Sequence, residues 1–421
     1  MGLRVLMISG HDFWGYPNNI APLPLTLKYM RLRGWEVDFI TNTKDYGIDE
    51  ISNIYGEPPK YLEAGIRIHR IPMPIYNPII WKILGLSKLG KSIRQRLAMD
   101  IMFPYYIRKY AEPFAKIADV IYGYEVYGVI VGRKLASKYN KPMISRFQGT
   151  FALEWLKMAR KSILGRMNSF RYFIHWKALE TESQLIIMTD DGTNGLRVLK
   201  ELGNKSPVKF WKNGVDTRPS GIHKHELRRA LGLPTDHNIS ISVSRLVRWK
   251  RVERIIKAYA LVINEVPNVL HIIVGEGPEK RNLIELSKKL NVDKNIIFTG
   301  HQSSNMTIKF MEASDVFISM YDISNVCNPL LDAMKLGLPI VTIDNGDTAS
   351  LIKDRYNGIL LKYYDETALK NALIEIFLNK NLAKYISEKA LESGKRIWTW
   401  KERLNAELDE IEKIVASWKA K

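Results

Sequence analysis

Residues 324–343 read S-N-V-C-N-P-L-L-D-A-M-K-L-G-L-P-I-V-T-I, and their punctuation predicts a helix followed by a strand from Leu338 to Ile343. Asn328 suits an N-cap, Pro329 the first helical position, and Gly337 followed by Pro339 marks the stop. Leu330, Leu331, Met334 and Leu336 give the helix an apolar side. The amides of its first turn are expected to point unpaired out of its N-terminus, where phosphate binds. An ordinary capped helix in an α/β core carries the same signals, so the reading depends on the rest of the chain.

A length of 421 residues exceeds one typical core and implies two domains or more. Apolar residues at 46% and charged residues at 25% are ordinary for a globular protein, which excludes a disordered or fibrous chain. One cysteine, Cys327, allows no internal disulfide and no cysteine-based metal site, as suits a reducing cytoplasm. No apolar stretch reaches the roughly 20 residues that span a bilayer, and no signal-peptide pattern opens the chain. A cytoplasmic protein, soluble or peripheral at the membrane face, is therefore expected. The net charge of +19, from 63 basic and 44 acidic residues, favours polyanions or an anionic membrane surface. A solvated lysine-rich surface would give the same sum.

Arg4–Ser9, a helix over Pro24–Arg33 and Glu36–Thr41 form an opening βαβ unit. The loop between, Gly10 to Tyr16, contains His11 and Gly15 at the carboxyl end of the first strand, where open α/β sheets bind ligands. It lacks G-x-G-x-x-G, which speaks against a nicotinamide dehydrogenase. Gly65–Pro72 alternates like an exposed edge strand. From Trp81 to Lys116, eight basic residues face two acidic ones among aromatic and aliphatic side chains, which predicts amphipathic helices with basic faces. Asp119–Tyr122, Val126–Tyr139 and Pro142–Arg146 continue the alternation to Gln148-Gly149-Thr150. A helix over Asn194–Leu202 and strands at Gln184–Met188 and Val208–Trp211 close this half, with Asp190-Asp191 read as the start of a helix.

Asn213-Gly214-Val215-Asp216 and the run to Lys224 read as a linker. Strands at Ile239–Val243, Val269–Val274, Ile296–Thr299, Val316–Ile318, Leu338–Ile343 and Gly358–Leu361 then alternate with amphipathic helices. The fold class is thus α/β, with two doubly wound Rossmann-like domains. Residues 1–210 form the first domain, 211–395 the second, and 396–421 a long amphipathic helix expected to pack back on the first.

Arg245 and Lys250 flank the turn after the first strand of the second domain, and two cations there can hold and neutralise a departing diphosphate. Together with V-G-E-G-P (Val274–Pro278), F-T-G (Phe298–Gly300), N-G-V-D and the Asn328–Ile343 block, their order resembles the retaining nucleotide-sugar-dependent glycosyltransferases of family four. The resemblance covers essentially the whole chain. It implies the GT-B fold, with the two domains facing each other across a cleft, and a sugar transferred with retention from a nucleotide-sugar donor to a sugar or lipid-linked acceptor. No cofactor, metal site or nucleic-acid partner is implied.

By that resemblance Arg245 and Lys250 bind the donor diphosphate, and Glu276, Gly277 and Gly300 lie beside the nucleobase. Asp332 holds the ribose hydroxyls, and Asn325, Asn328, Pro329 and Leu330 complete the donor side. Ser324 stands where the family carries the first of two glutamates, and Asp322 is the nearest carboxylate that could replace its charge. Gln148, standing for a histidine, belongs with His11 and Gly15 on the acceptor or sugar side. Two other readings stay open: a degenerate protein that binds a nucleotide sugar or a partner without turnover, and a sugar-nucleotide epimerase on the same fold.

Overall fold

The computed structural model describes residues 2–10, 22–43, 65–72, 82, 102–150, 173–189 and 191–420. They divide into two compact units: Met1–Asp190 with Asn194–Lys212 and Lys401–Lys421, and Asp191–Thr193 with Asn213–Trp400.

In the first unit the elements run β1 (Arg4–Ser9), α1 (Pro22–Leu32), β2 (Glu36–Thr43), β3 (Ile66–Pro72), α2 (Phe103–Ile117), β4 (Val120–Tyr124), α3 (Glu125–Tyr139), β5 (Met143–Phe147), α4 (Phe173–Glu180), β6 (Leu185–Thr189), α5 (Gly195–Glu201) and β7 (Val208–Trp211). The sheet order is β3-β2-β1-β4-β5-β6-β7, every described pairing being parallel. Alternation along each strand sends neighbours to opposite faces. Val5 and Met7 enter one core with Leu27 and Trp35, while Leu6 and Ile8 enter the other with Ile121 and Val129. The chain reverses direction across the sheet between β1 and β4, which creates a crevice at their carboxyl ends.

The second unit continues with α6 (Lys224–Ala230), β8 (Asn238–Val243), a 3-10 turn at Arg248–Lys250, α7 (Val252–Val262), β9 (Val269–Val274), α8 (Lys280–Lys289), β10 (Ile296–Gly300), α9 (Ser304–Glu312), β11 (Val316–Ser319), α10 (Asn328–Leu336), β12 (Ile340–Ile343), α11 (Thr348–Leu351), β13 (Ile359–Leu361), α12 (Glu366–Leu378) and α13 (Lys380–Gly394). Its parallel sheet runs β10-β9-β8-β11-β12-β13. The reversal here lies between β8 and β11. The chain ends in α14 (Trp400–Lys419), whose Leu408, Ile411 and Val415 join the core that holds Val5 and Met7.

Element types agree with the sequence, and three boundaries are corrected. The cap of α10 is Cys327 rather than Asn328, which is already helical, and the Cys327 side chain makes no capping hydrogen bond. The strand after it starts at Ile340, because the Leu338 amide turns back to the Ala333 carbonyl at 2.9 Å behind Gly337 at φ +64°. The last helix begins at Trp400, not Arg396. The Trp398 carbonyl is spent on the Val215 amide (2.9 Å), and the Asp216 carboxylate receives the Trp400 amide at 3.0 Å.

Asp191 does not start a helix either. Residues 191–193 are bends stabilised by the Asp191 carboxylate, which accepts from the Thr193 amide (3.0 Å) and hydroxyl (2.6 Å). Asp190 lies outside the described residues. So do His11, Gly15 and most of the basic segment from Trp81 onward. The described part of that segment includes α2, which exposes Tyr105, Tyr106, Tyr110 and Ile117. No helix among the described residues is long and apolar enough to cross a membrane.

Candidate functional site

The site is built where the second sheet reverses. Three turns that leave β8, β9 and β10 are stitched side by side through their backbones. The Ser244 amide donates to the Val274 carbonyl (3.0 Å), the Leu246 amide to the Glu276 carbonyl (2.8 Å), and the Gly275 amide to the Gly300 carbonyl (2.9 Å). This contact leaves no room for side chains at two positions. A Cβ on Gly275 would stand 1.9 Å from the Ser244 carbonyl oxygen, and one on Gly277 would stand 2.3 Å from that of Leu246. Both glycines also have positive φ, +144° and +159°, so the V-G-E-G-P loop requires them twice over. Glu276 is exposed between them and pairs with Lys280.

Across the reversal, the turn after β11 meets the turn after β8. The Asp322 amide donates to the Trp249 carbonyl (3.0 Å), and the Tyr321 hydroxyl donates to that of Val243 (3.0 Å). Lys250 lies in the angle between two rings, its Nζ 4.1 Å from the centre of Trp249 and 3.6 Å from that of Tyr321. Burial pushes its pKa down to about 8, against an upward pull from Cys327, and Arg245 adds a smaller repulsion. Among the described residues no carboxylate lies within ion-pair distance of Arg245 or Lys250. A half-buried lysine held between two ring faces, with the exposed Arg245 close enough to repel it, favours a multiply charged anion.

The helix α10 closes the crevice. Leu330, Leu331, Ala333 and Met334 are buried and hold it to the sheet. Asp332 faces the other way, with its Oδ1 receiving the Thr217 hydroxyl at 2.6 Å. Burial raises the Asp332 pKa to about 6, against the lowering effect of that hydrogen bond. One turn earlier, exposed Asn328 accepts from the Asn213 amide group (3.2 Å). Among the described residues no group of three or more His, Cys, Asp or Glu side chains could hold a metal ion.

Several expectations for this site are corrected. The first-turn amides of α10 are not all free: Leu330 and Leu331 both donate to the Cys327 carbonyl at 3.1 Å, and Pro329 has no amide hydrogen. Leu330 is fully buried, so its side chain and amide are spent inside the fold. Ser324 is buried as well. Its hydroxyl donates to the Asp191 carbonyl (2.8 Å) and accepts from the Val326 amide (3.1 Å). The Asn325 side chain accepts from the Tyr321 amide (3.1 Å) and donates to the Ile343 carbonyl (3.2 Å) and Asn345 (2.9 Å). Asp322 cannot replace a missing acid, since Arg251 (2.6 Å) and Arg254 (2.8 Å) hold both its oxygens.

In the first unit Gln148 sits just past β5. Its side-chain amide donates to the Tyr124 hydroxyl (2.6 Å), and its oxygen receives the Thr189 hydroxyl (3.3 Å), which in turn accepts from buried Arg146 (2.9 Å). Thr217, Trp249, Tyr321 and, in this unit, Tyr124, Glu125 and Arg146 were not singled out from sequence. A signal for the last group exists in G-Y-E-V-Y-G (Gly123–Gly128), where glycines bracket a strand-to-helix turn.

Residues 223–393 match the family model of glycosyl transferases group 1. An uncharacterized glycosyltransferase of Methanocaldococcus jannaschii is 33% identical over 175 residues, covering 41% of this chain and 44% of that protein. An alpha-monoglucosyldiacylglycerol synthase of Streptococcus pneumoniae is 29% identical over 153 residues, covering 36% and 34%. The chain thus spans less than half the length of these two curated relatives. Among solved structures, the Anabaena protein HepE in complex with UDP-glucose is similar over 98% of this chain and 99% of that one, with a TM-score of 0.67 at 17% identity. The architecture is therefore the GT-B fold of two Rossmann-like domains, and residues 223–393 carry the similarity to the glycosyl transferases of group 1.

Proposed function

We propose that the protein transfers a sugar, with retention, from a nucleoside-diphosphate sugar to a sugar or lipid-linked acceptor. The observation that carries this reading is the pair Arg245 and Lys250, cations that follow β8 with no carboxylate partner among the described residues, Lys250 lying between the rings of Trp249 and Tyr321. In this reading they bind the diphosphate and neutralise the charge that grows on it as the glycosidic bond breaks. Asp332 takes hydrogen bonds from the ribose hydroxyls, and the Gly275–Gly277 turn lies along the base. Asp322 is held by two arginines and Asp332 by Thr217. Neither is placed as a dedicated base, which supports the leaving diphosphate as the group that takes the acceptor's proton on the same face. No cofactor or metal enters the scheme.

The match to a diacylglycerol glucoside synthase supports a lipid-linked acceptor. So does α2, whose exposed Tyr105, Tyr106, Tyr110 and Ile117 accompany Arg108, Lys109 and Lys116. Such a face would lie on an anionic membrane from the cytoplasmic side.

A thermal-shift screen against UDP-, GDP- and ADP-sugars tests the donor. Binding to the folded state at 100 times Kd raises stability by about 2.7 kcal/mol, and release of the matching nucleoside diphosphate then shows turnover. Binding without turnover of any donor would favour the degenerate reading, and a new sugar nucleotide formed without acceptor would favour the epimerase.

A further inference from the structure

The carboxyl edge of the first sheet carries a second built feature, the turn from β4 into α3. Tyr124 is extended at φ −99°, and Glu125, the next residue and the first of the helix, has φ +58°. Positive φ is uncommon outside glycine and costs free energy that the surroundings must offset. Those surroundings are tight. A Cβ on Gly128 would stand 2.0 Å from the Ile8 carbonyl oxygen, and one on Gly123 would stand 2.8 Å from the Val129 Cα. The glycines therefore let α3 press onto β1 and β4, and the turn between them has to be sharp. A carboxylate in the first turn of a helix is favoured by the helix dipole, but that alone does not require the left-handed backbone. Sharp strand-to-helix turns lift a functional side chain clear of the sheet in other α/β enzymes.

The carboxylate so placed is held. Its Oε1 accepts the Gln148 amide at 2.7 Å, while the Gln148 side chain bonds Tyr124 and Thr189. The carboxylate's charge also reaches the fully buried Arg146 guanidinium, which Glu407 meets first. Glu125, Gln148 and Tyr124 thus form one fixed set of hydrogen-bonding groups at the carboxyl ends of β4 and β5. This edge borders the reversal between β1 and β4, where open sheets receive ligands.

We infer that Glu125 is an acceptor-binding residue, whose carboxylate takes the hydrogen bond of a hydroxyl on a polyhydroxylated acceptor and orients it for transfer. The inference rests on the transferase reading and adds the residue that aims the nucleophile. A carboxylate offers about four lone-pair sites, enough to accept the Gln148 amide and a substrate hydroxyl together. No covalent step or proton transfer is assigned to it.

The test compares wild type, Glu125→Gln, Glu125→Gly and Arg245→Ala. UDP-, GDP- and ADP-glucose serve as donors, and n-octyl glucoside, glycerol and water as acceptors. Donor affinity is read by calorimetry and turnover by nucleoside diphosphate release. Glu125→Gln is expected to keep the donor Kd within twofold of wild type and to lower kcat at least tenfold. Glu125→Gly, which removes the backbone cost, is expected to melt no lower than wild type and to show the same loss. Arg245→Ala is expected to lose donor affinity instead. Unchanged turnover in both Glu125 variants, or a loss that follows donor affinity, overturns the role of Glu125 and leaves the donor site standing. A Glu125→Gly protein that melts well below wild type overturns it too, by showing a structural role. A wild type that neither binds nor turns over any of the three donors overturns the transferase reading and this inference with it.

Discussion

The carboxyl edges of the two sheets share a topology and differ in how their charges are met. In the second unit Arg245 and Lys250 have no carboxylate within ion-pair distance among the described residues, and Lys250 is held by ring faces. In the first unit the charges alternate inward: the charge of Glu125 reaches Arg146, Arg146 approaches Glu407 (3.6 Å), and Glu407 pairs with Arg403 (2.8 Å), whose guanidinium lies 4.8 Å from the centre of the Trp211 ring. One edge keeps positive charge in reserve for an anion. The other is charge-balanced before any ligand arrives, as suits a site that sorts neutral hydroxyls by geometry.

The largest effect should come from breaking the balanced edge. Glu407 is fully buried with Arg146 and Arg403, and it also receives the Tyr122 hydroxyl. Burial alone would raise its pKa, and the two guanidinium charges overcome that and hold it below the ordinary range. Glu407→Ala strands two buried cations, a change that costs about 3–5 kcal/mol. Urea denaturation should show that loss as a lower midpoint. A midpoint equal to wild type would mean the chain of charges does not hold α14 in place.

Breaking the unbalanced edge should act on function with little effect on the fold. Arg245 is exposed and makes no ion pair among the described residues, so Arg245→Ala should melt with wild type while turnover falls on the order of 100-fold, as for one lost charge-stabilising donor. An Arg245→Ala protein with wild-type kinetics would remove the donor site from this edge.

The two edges were also unequally legible in the sequence. Both sheets could be read from continuous apolar strands bounded by glycine, proline and asparagine, because a strand buried on both faces needs no partner to be recognised. The cations of the second unit were legible for a similar reason: their chemistry is local, five positions apart on one turn. What escaped was chemistry that depends on distant partners. The Ser324 hydroxyl is consumed by a carbonyl 133 positions away, and Asp322 by Arg251, 71 positions away. Neither commitment leaves a trace in the residues themselves. Glu125 escaped because a glutamate carries no mark of positive φ, and only the bracketing glycines hinted at the turn.

The smallest effect is the most discriminating, since it uses the titration of two groups on one edge. Free Lys250, with its pKa near 8, loses its charge as pH rises through 8, and a diphosphate that needs that charge then binds more weakly. Asp332, with its pKa near 6, becomes a full acceptor for ribose hydroxyls only as pH rises through 6. Nucleoside diphosphate affinity should therefore peak between about pH 6 and 8, falling up to about tenfold per unit on the alkaline side as the lysine deprotonates. Replacing Lys250 with Arg, which stays charged, should flatten the alkaline limb and leave the acid limb. Asp332→Asn should do the reverse. Calorimetry from pH 5 to 9 in constant-ionic-strength buffer reads both limbs. Among the described residues the charge-balanced edge has no comparable pair, so Glu125→Gln should leave this profile as it is. A profile whose alkaline limb survives Lys250→Arg would place the titrating cation elsewhere and undo the contrast between the two edges.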